Sequence, residues 1–426
     1  MISAIMLGLF LALMLSGIPV SIAIMLATII GMLIGGYELL AVPQFMAAAT
    51  KSSFLLAIPF FILAANMMNA LGITQRIFNF ATAIAGGLRG GLAQVNVVAS
   101  MIFAGISGAA VADAAGLGTI EIKAMKEGGY SLEFSAAVTL ASATIGPIIP
   151  PSVMMLIYAI QADVSPAAMF LAGILPGCLI GLILMITIYV QVALGYQDCP
   201  PPIKFSMQRL IKTSKDGILS LFAPLIILWG MVSGVVTPTE AGVLAVFYSL
   251  LLGVIYRSFN WLVIRRALVD TVKTSSLILY IIAVSSVMAW VMVNEGTAND
   301  IAEWLGNITE NPLILLVIIN IFLLILGAIL ETLPAMLIAV PVLLPAIDAL
   351  GIDRVHFGII VIFNLLIGII TPPMGIGLYI LAAISEVKID RLVVASLPYI
   401  VTLIIALLAI TYIPILSLFL PEILLK

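Results

Sequence analysis

Ser107, Asp113, Ser152, Glu331, Thr332 and Asn364 are the side chains of this chain best placed to meet a ligand, because each stands in or beside a long apolar run interrupted by Gly or Pro. The backbone offers as much as the side chains. Pro150-Pro151 and Pro372-Pro373 each remove two amide donors from the middle of an apolar run, which breaks a helix and frees carbonyls. Hydrocarbon tolerates that only where the freed groups meet protein, an ion or water. A broken helix presents carbonyls at the end of one half and amides at the start of the next. Carbonyls suit a hard cation and amides suit a carboxylate. Gly146, Ile148, Ile149 and Pro150 with the Ser107 hydroxyl would cage one Na⁺, and Gly368, Ile370, Thr371 and Gly327 with Thr332 another.

The two breaks are one pattern written twice. An offset of 222 residues, the distance from Pro150 to Pro372, also lays Ile145 on Ile367, Gly146 on Gly368, Ile148 on Ile370, Pro151 on Pro373, Leu156 on Leu378 and Pro176 on Pro398. Paired interruptions in two halves of a membrane protein point to the binding site of a secondary transporter. Glu331, in ILETLP, is an acid within an apolar segment and so a candidate for ligand contact; the alternative is a water-exposed residue at a helix start. Ser152 either meets an anion or caps the helix that follows. Asn364 either reaches the cavity or bridges helices. Asp113 orients the first interrupted segment or is a solvated cavity residue. His356, beside Arg354, reads as interfacial.

These elements must lie in a membrane. Across 426 residues, 63% of side chains are hydrophobic and only 9% charged, with a mean hydropathy of +1.31, against a charged share of about a quarter in soluble domains. Two cysteines and one histidine exclude a disulfide framework and a multi-histidine metal site. No Gly-rich phosphate loop is present, and the net charge of −3 gives no reason to expect nucleic acid. The opening MISAIMLGLFLALMLSGIPV lacks a charged leader region, and a retained first span is expected.

Basic residues set the sidedness. Lys204, Arg209, Lys212 and Lys215 precede two spans, near 217–233 and 240–256, and Arg257, Arg265, Arg266 and Lys273 follow them, so both clusters lie on the cytoplasmic side. An amphipathic interfacial segment is expected around Trp261. Residues 293–311 carry Glu295, Asp300, Glu303 and Glu310 without Lys or Arg, as an outside segment should. Counting from these, the broken helix at 131–160 starts inside and that at 356–385 starts outside, so the repeat is inverted. Before each lies an interrupted apolar segment, 92–122 and 312–350, read as a re-entrant hairpin, the first with its tip at 106–108 and the second with Glu331 at its tip. The expected fold is an all-α polytopic membrane protein, a single unit over 1–426, with a first half at 1–200, basic connecting elements at 201–273 and a second half at 274–426. About ten or eleven spans plus two hairpins are expected.

FAGISGAAVADAAGLGTIEIKAMKEGGY, ATIGPIIPPS and IGIITPPMGIGLY resemble the large membrane subunit of tripartite ATP-independent periplasmic (TRAP) transporters, over essentially the whole chain. That resemblance implies Na⁺-driven uptake of an organic acid across the bacterial inner membrane by an elevator movement. It implies a periplasmic substrate-binding protein and, since no four-helix extension precedes the first span, a small four-helix membrane subunit on a separate chain. By motif, one Na⁺ site would fall on Ser107, Gly146, Ile149 and Pro151, a second near Gly327, Gly368, Thr371 and Met374, and substrate near Ser107, Ser152 and Glu331. The family commonly has a second hydroxyl or another small residue where this chain has Ala109. The first tip is similar to that of sialic-acid members, and C4-dicarboxylates remain open. The expected function is import of a small organic anion coupled to at least two Na⁺, with no catalysis; the alternatives are a passive channel and an intramembrane enzyme.

Overall fold

The computed structural model describes residues 2–425 apart from Ala109, Asp198 and Glu310; for Ile106, Ser107, Val111, Ala112, Ala115, Asn299, Ala302 and Leu305 it describes the backbone alone. The described chain is helical, without a β-strand. It runs through α1 (Ile2–Leu15), α2 (Val20–Gly35), α3 (Ala41–Ala49), a short 3₁₀ turn (Ser53–Leu56), α4 (Ala57–Ala70) and α5 (Ile73–Ala85). The first hairpin is α6 (Leu92–Ser107) with α7 (Ala110–Ala115) and α8 (Leu117–Glu127); α9 (Leu132–Ala143) and α10 (Val153–Ala162) are the two parts of the first broken helix, and α11 (Pro166–Ala193) follows. Next come α12 (Met207–Val232), α13 (Pro238–Ile255), α14 (Trp261–Asn294) and α15 (Thr297–Ile308). The second hairpin is α16 (Pro312–Ile329) and α17 (Thr332–Ala349), the second broken helix α18 (Arg354–Ile369) and α19 (Ile376–Ser385), and α20 (Ile389–Tyr412) and α21 (Ile415–Leu424) close the chain. Among the described residues, eight helices are long and apolar enough to cross a membrane.

The 222-residue offset governs the helices as well as the letters. Ser107 and Ile329 end equivalent helices, Ala110 and Thr332 begin the return arms, Glu127 and Ala349 end them, and Leu132 and Arg354 begin the broken helices, each pair separated by that offset. The packing is reciprocal. α10 lies on α17 and α18 of the other half, while α19 lies on α7 and α9. Such an exchange is what a two-fold axis relating the halves produces.

Helix starts carry their own caps. Ser131, Ser152, Ser165, Ser206, Asn260, Asn311 and Asp353 each accept an amide from the first turn that follows, worth about 1 kcal/mol apiece. α9 and α18 are covered on all sides; every residue from Phe134 to Ala143 and from His356 to Ile369 is buried. Apolar helices without an exposed face belong at the centre, and these two carry the interruptions. Around them, large apolar side chains such as Trp229, Phe247, Trp261 and Leu262 are exposed, a surface made for lipid rather than water.

Several local expectations are corrected. The segment around Trp261 is the start of one continuous 34-residue helix, α14, about 50 Å long at 1.5 Å per residue. Arg209, Lys212 and Lys215 do not precede the span near 217–233 but stand on the same helix, α12. His356 is buried, with Nδ1 3.2 Å from Ser417 Oγ and Nε2 3.2 Å from the Thr411 carbonyl. It fastens α18 to the end of the chain.

Candidate functional site

Each hairpin tip rests on the break of its own half. α6 ends in Gly108, which adopts a left-handed conformation (φ 59°). A Cβ there would stand 2.7 Å from the Pro151 carbonyl oxygen and 3.1 Å from Ser152 Cα, so only glycine lets the tip come this close. Gly105, one turn earlier, faces the Pro150 carbonyl on one side and Pro224 of α12 on the other. The Ser107 side chain and Ala109 lie outside the described residues, so the expected tip hydroxyl is placed only through its backbone.

Between α9 and α10, the amides of Ile145, Gly146 and Ile149 bond to Ser142, Ala143 and Ile145. Among the described residues, no donor meets the carbonyls of Gly146, Ile148, Ile149, Pro150 or Pro151. They do not all point one way. Those of Pro150 and Pro151 face the tip, whereas that of Ile148 lies against Gly173 of α11, closer than any side chain there would permit. Gly177, one turn on, receives the Ile149 side chain, and Gly181 receives Met101. This small-residue stripe draws α11 onto the break, the way helices approach in lipid. The Asp113 carboxylate lies directly against Gly146. Ser152 is fully buried, and its hydroxyl accepts the Met155 amide at 3.3 Å. It therefore serves as the cap of α10, and its role toward an anion is confined to the hydroxyl proton it has left to donate.

The second half repeats the design with tighter backbone contact. Gly368 of α18 meets the main chain of Gly327 in α16 with no room for a methyl. The Met374 amide donates to the Ala328 carbonyl at 3.1 Å, joining break to tip. The carbonyls of Ile369 and Thr371 converge beside Gly375, where a Cβ would stand 3.1 and 2.9 Å from them. Leu378 Cδ1 closes one side of that spot, and the two bare carbonyls beside it are donors of the kind a small hard cation takes. The Thr371 hydroxyl is turned back onto the Ile367 carbonyl at 2.7 Å, leaving the residue's own carbonyl as its donor atom. Gly327, Glu331, Met374 and Gly375 line a common cavity of about 80 Å³, with Met14 and Val20 closing it from α1 and the start of α2. Thr332 is buried and, among the described residues, its hydroxyl has no partner. Glu331 precedes α17 without capping it.

Asn364 sits deeper. It is fully buried, and its amide donates to Asn320 Oδ1 at 2.6 Å, while Asn320 donates to Thr411 at 3.1 Å. The equivalent position in the first half is Ser142, which donates to Asn96 at 2.7 Å. Both residues bridge the broken helix to the outgoing arm of its hairpin. Asn96 continues to Thr139 at 2.6 Å, and Ser100 donates to Ser142 at 3.1 Å, with Glu121 of α8 beside Ser100. Glu121 is 1% exposed and went unnoticed in the sequence. An acid between Ile120 and Ile122 was the available signal, masked by Lys123 and Lys126 close by.

Across the halves, Tyr158 of α10 donates to the Arg354 carbonyl at 2.7 Å, and Arg354 donates to the Ala162 carbonyl at 2.8 Å. Gln161 donates to the Leu337 carbonyl at 3.0 Å. That carbonyl lacks its own helical donor, because the residue four positions on is Pro341. α10, α17 and α18 are thus pinned together by polar contacts at the cross-over.

Residues 7–416 match the profile of the family described as "Tripartite ATP-independent periplasmic transporter, DctM component". The chain is 39% identical over 381 residues to the sialic acid TRAP transporter large permease protein SiaM of Vibrio cholerae, covering 89% of this chain and 88% of that one. It is 35% identical to the C4-dicarboxylate TRAP transporter large permease protein DctM of Pseudomonas aeruginosa, covering 86% of each. Among solved structures it is similar to the Alcanivorax borkumensis YdaH transporter, with a TM-score of 0.55 at 17% identity over 86% of both chains. That last likeness concerns the fold alone.

Proposed function

This chain belongs to the DctM component family of tripartite ATP-independent periplasmic transporters, multi-pass proteins of the inner membrane, and from that premise we propose that it imports a small organic anion at the expense of a Na⁺ gradient. The substrate is of the sialic-acid or C4-dicarboxylate class, as the names of relatives suggest. A periplasmic binding protein delivers it, and a small four-helix subunit on another chain completes the membrane part. The observation that carries the reading is that each break leaves carbonyls without a donor among the described residues, those of Pro150 and Pro151 facing the first hairpin tip and those of Ile369 and Thr371 converging beside Gly375. Leaving such groups bare in a membrane interior costs several kcal/mol each, which a bound cation offsets.

In the first half the ion would take the carbonyls of Pro150 and Pro151 with Gly146, Ile149 and the Ser107 hydroxyl; in the second, those of Ile369 and Thr371 with Gly327, Gly368 and Met374. The Ile148 carbonyl, turned toward α11, is not in the set. Bound ions fasten each tip to its break and leave the amide ends of α10 and α19 for the substrate carboxylate. With two Na⁺ per monoanion, one net positive charge crosses, adding about 2.3 kcal/mol per 100 mV to the Na⁺ gradient. The hairpins and broken helices would travel as one body past α1–α5 and α12–α15, as in an elevator. Uptake into proteoliposomes containing the partner proteins tests this: it is expected to collapse when choline replaces Na⁺, and unchanged uptake would refute the coupling.

A further inference from the structure

A second cavity, of about 210 Å³, lies away from both tips, lined by Ile157, Ile160 and Gln161 of α10, Leu337 of α17, and Ile282, Ser285, Ser286 and Ala289 of α14. Its two walls belong to different bodies, the cross-over of the broken helices on one side and the long α14 on the other. Ser285 is 2% exposed, and among the described residues its hydroxyl has no partner. Gln161 spends its amide on the Leu337 carbonyl, and among the described residues its own buried side-chain oxygen has no donor. Neighbouring Ser286 differs, since its hydroxyl is satisfied by the Ala283 carbonyl at 2.7 Å. Unmet hydrogen-bonding groups in a buried site imply that something polar comes there. Among the described residues no charged side chain lines the cavity, so it offers a carboxylate no counter-charge. The volume falls below the roughly 300–1,000 Å³ of pockets that enclose a whole ligand. It would take one end of a molecule, the end bearing neutral donors and acceptors.

We propose that this cavity receives the hydroxyl- or amide-bearing end of the organic anion between α14 and the moving body, with Gln161 accepting from it and Ser285 exchanging a hydrogen bond, so that polyhydroxylated acids are favoured over plain dicarboxylates. The proposal rests on the import reading above. Along α10, Ser152 to Gln161 spans about 13 Å at 1.5 Å per residue, which separates the carboxylate-binding end of that helix from its hydroxyl-reading end. A simple dicarboxylate has no neutral polar end to leave in the cavity, and its presence there would strand a second carboxylate among apolar walls.

The test is site-directed labelling of S285C, in a chain with Cys178 and Cys199 changed to serine, by a membrane-impermeant maleimide in proteoliposomes with the small subunit. Sialic acid and succinate serve as protectants, each with Na⁺ and with choline. The expected result is labelling slowed about ten-fold by sialic acid at ten times its Kd, with succinate leaving the rate unchanged. Equal protection by both acids overturns the proposal, as does labelling that neither slows, which makes the cavity a water pocket only. Absence of labelling at both S285C and Q161C marks the space as dry and also overturns it. Protection by sialic acid that is the same in choline leaves this site standing and removes the Na⁺ coupling instead.

Discussion

Replacing Gly368 by alanine strikes the contact on which the proposed second cation site depends. A methyl built there falls inside 3.0 Å of the Cα, C and O atoms of Gly327. Both partners are main chain, so neither can swing aside as a flexible side chain would. Restoring ordinary carbon–carbon contact, about 3.5–4.0 Å, moves α16 and the break apart by about 1–2 Å. Overpacking on this scale costs about 1–3 kcal/mol, and the better helix propensity of alanine returns up to about 1 kcal/mol. A net 1–2 kcal/mol charged against the ion-bound state corresponds to a 5–30-fold rise in the Na⁺ concentration that half-saturates uptake. The assay is Na⁺-dependent uptake in proteoliposomes, alongside thermal unfolding of the purified chain. Gly8→Ala is the control; its added methyl meets nothing within 4 Å, and its effect is expected within about 0.5 kcal/mol. A Gly368→Ala protein with unaltered Na⁺ dependence and stability would show that tip and break do not share an ion.

Gln161→Ala orphans the Leu337 carbonyl and is expected to destabilise by about 1–3 kcal/mol; in a double-mutant cycle, Pro341→Ala, which restores the missing helical donor, should recover part of that loss, and strict additivity of the two changes refutes the clasp. For the Asn320–Asn364 bridge, Asn364→Leu alone should cost about 1–3 kcal/mol by stranding its partner, whereas the Asn320→Leu/Asn364→Leu double variant should recover most of the stability with an unchanged KM. A KM that rises in the folded double variant would make Asn364 a substrate ligand. Tyr37 donates to Glu295 at 2.7 Å, which raises its phenol above the ordinary value. The bond needs the protonated phenol, so its contribution is present below about pH 10 and lost as pH climbs through the raised value; Trp290, 5.5 Å from the Tyr37 ring, should report that transition by fluorescence, and Tyr37→Phe should abolish it.

The tips and breaks were legible because Gly and Pro act through the backbone, and Gly105, Pro150 and Pro151 stand in register with Gly327, Pro372 and Pro373. The direction of each freed carbonyl was not. Ile148 turns toward α11 because Gly173 admits it there, and that partner lies 25 positions away in sequence with no local cue. α14 was divided in expectation because Arg265, Arg266 and Lys273 suggested an interfacial end, yet 261–294 contains neither Gly nor Pro to stop a helix. His356 looked interfacial from its charged neighbours, and only the return of α21 supplies Ser417 to cover it. Ser152 and Asn364 carried two readings each, and the structure gives both a structural bond without exhausting either side chain's capacity.

The cross-over bonds of Tyr158, Gln161 and Arg354 tie the tail of one broken helix to the shoulders of the other. Two breaks joined by such rivets cannot move independently of each other. Whatever the first break holds and whatever the second holds are therefore displaced together, by carpentry rather than by timing.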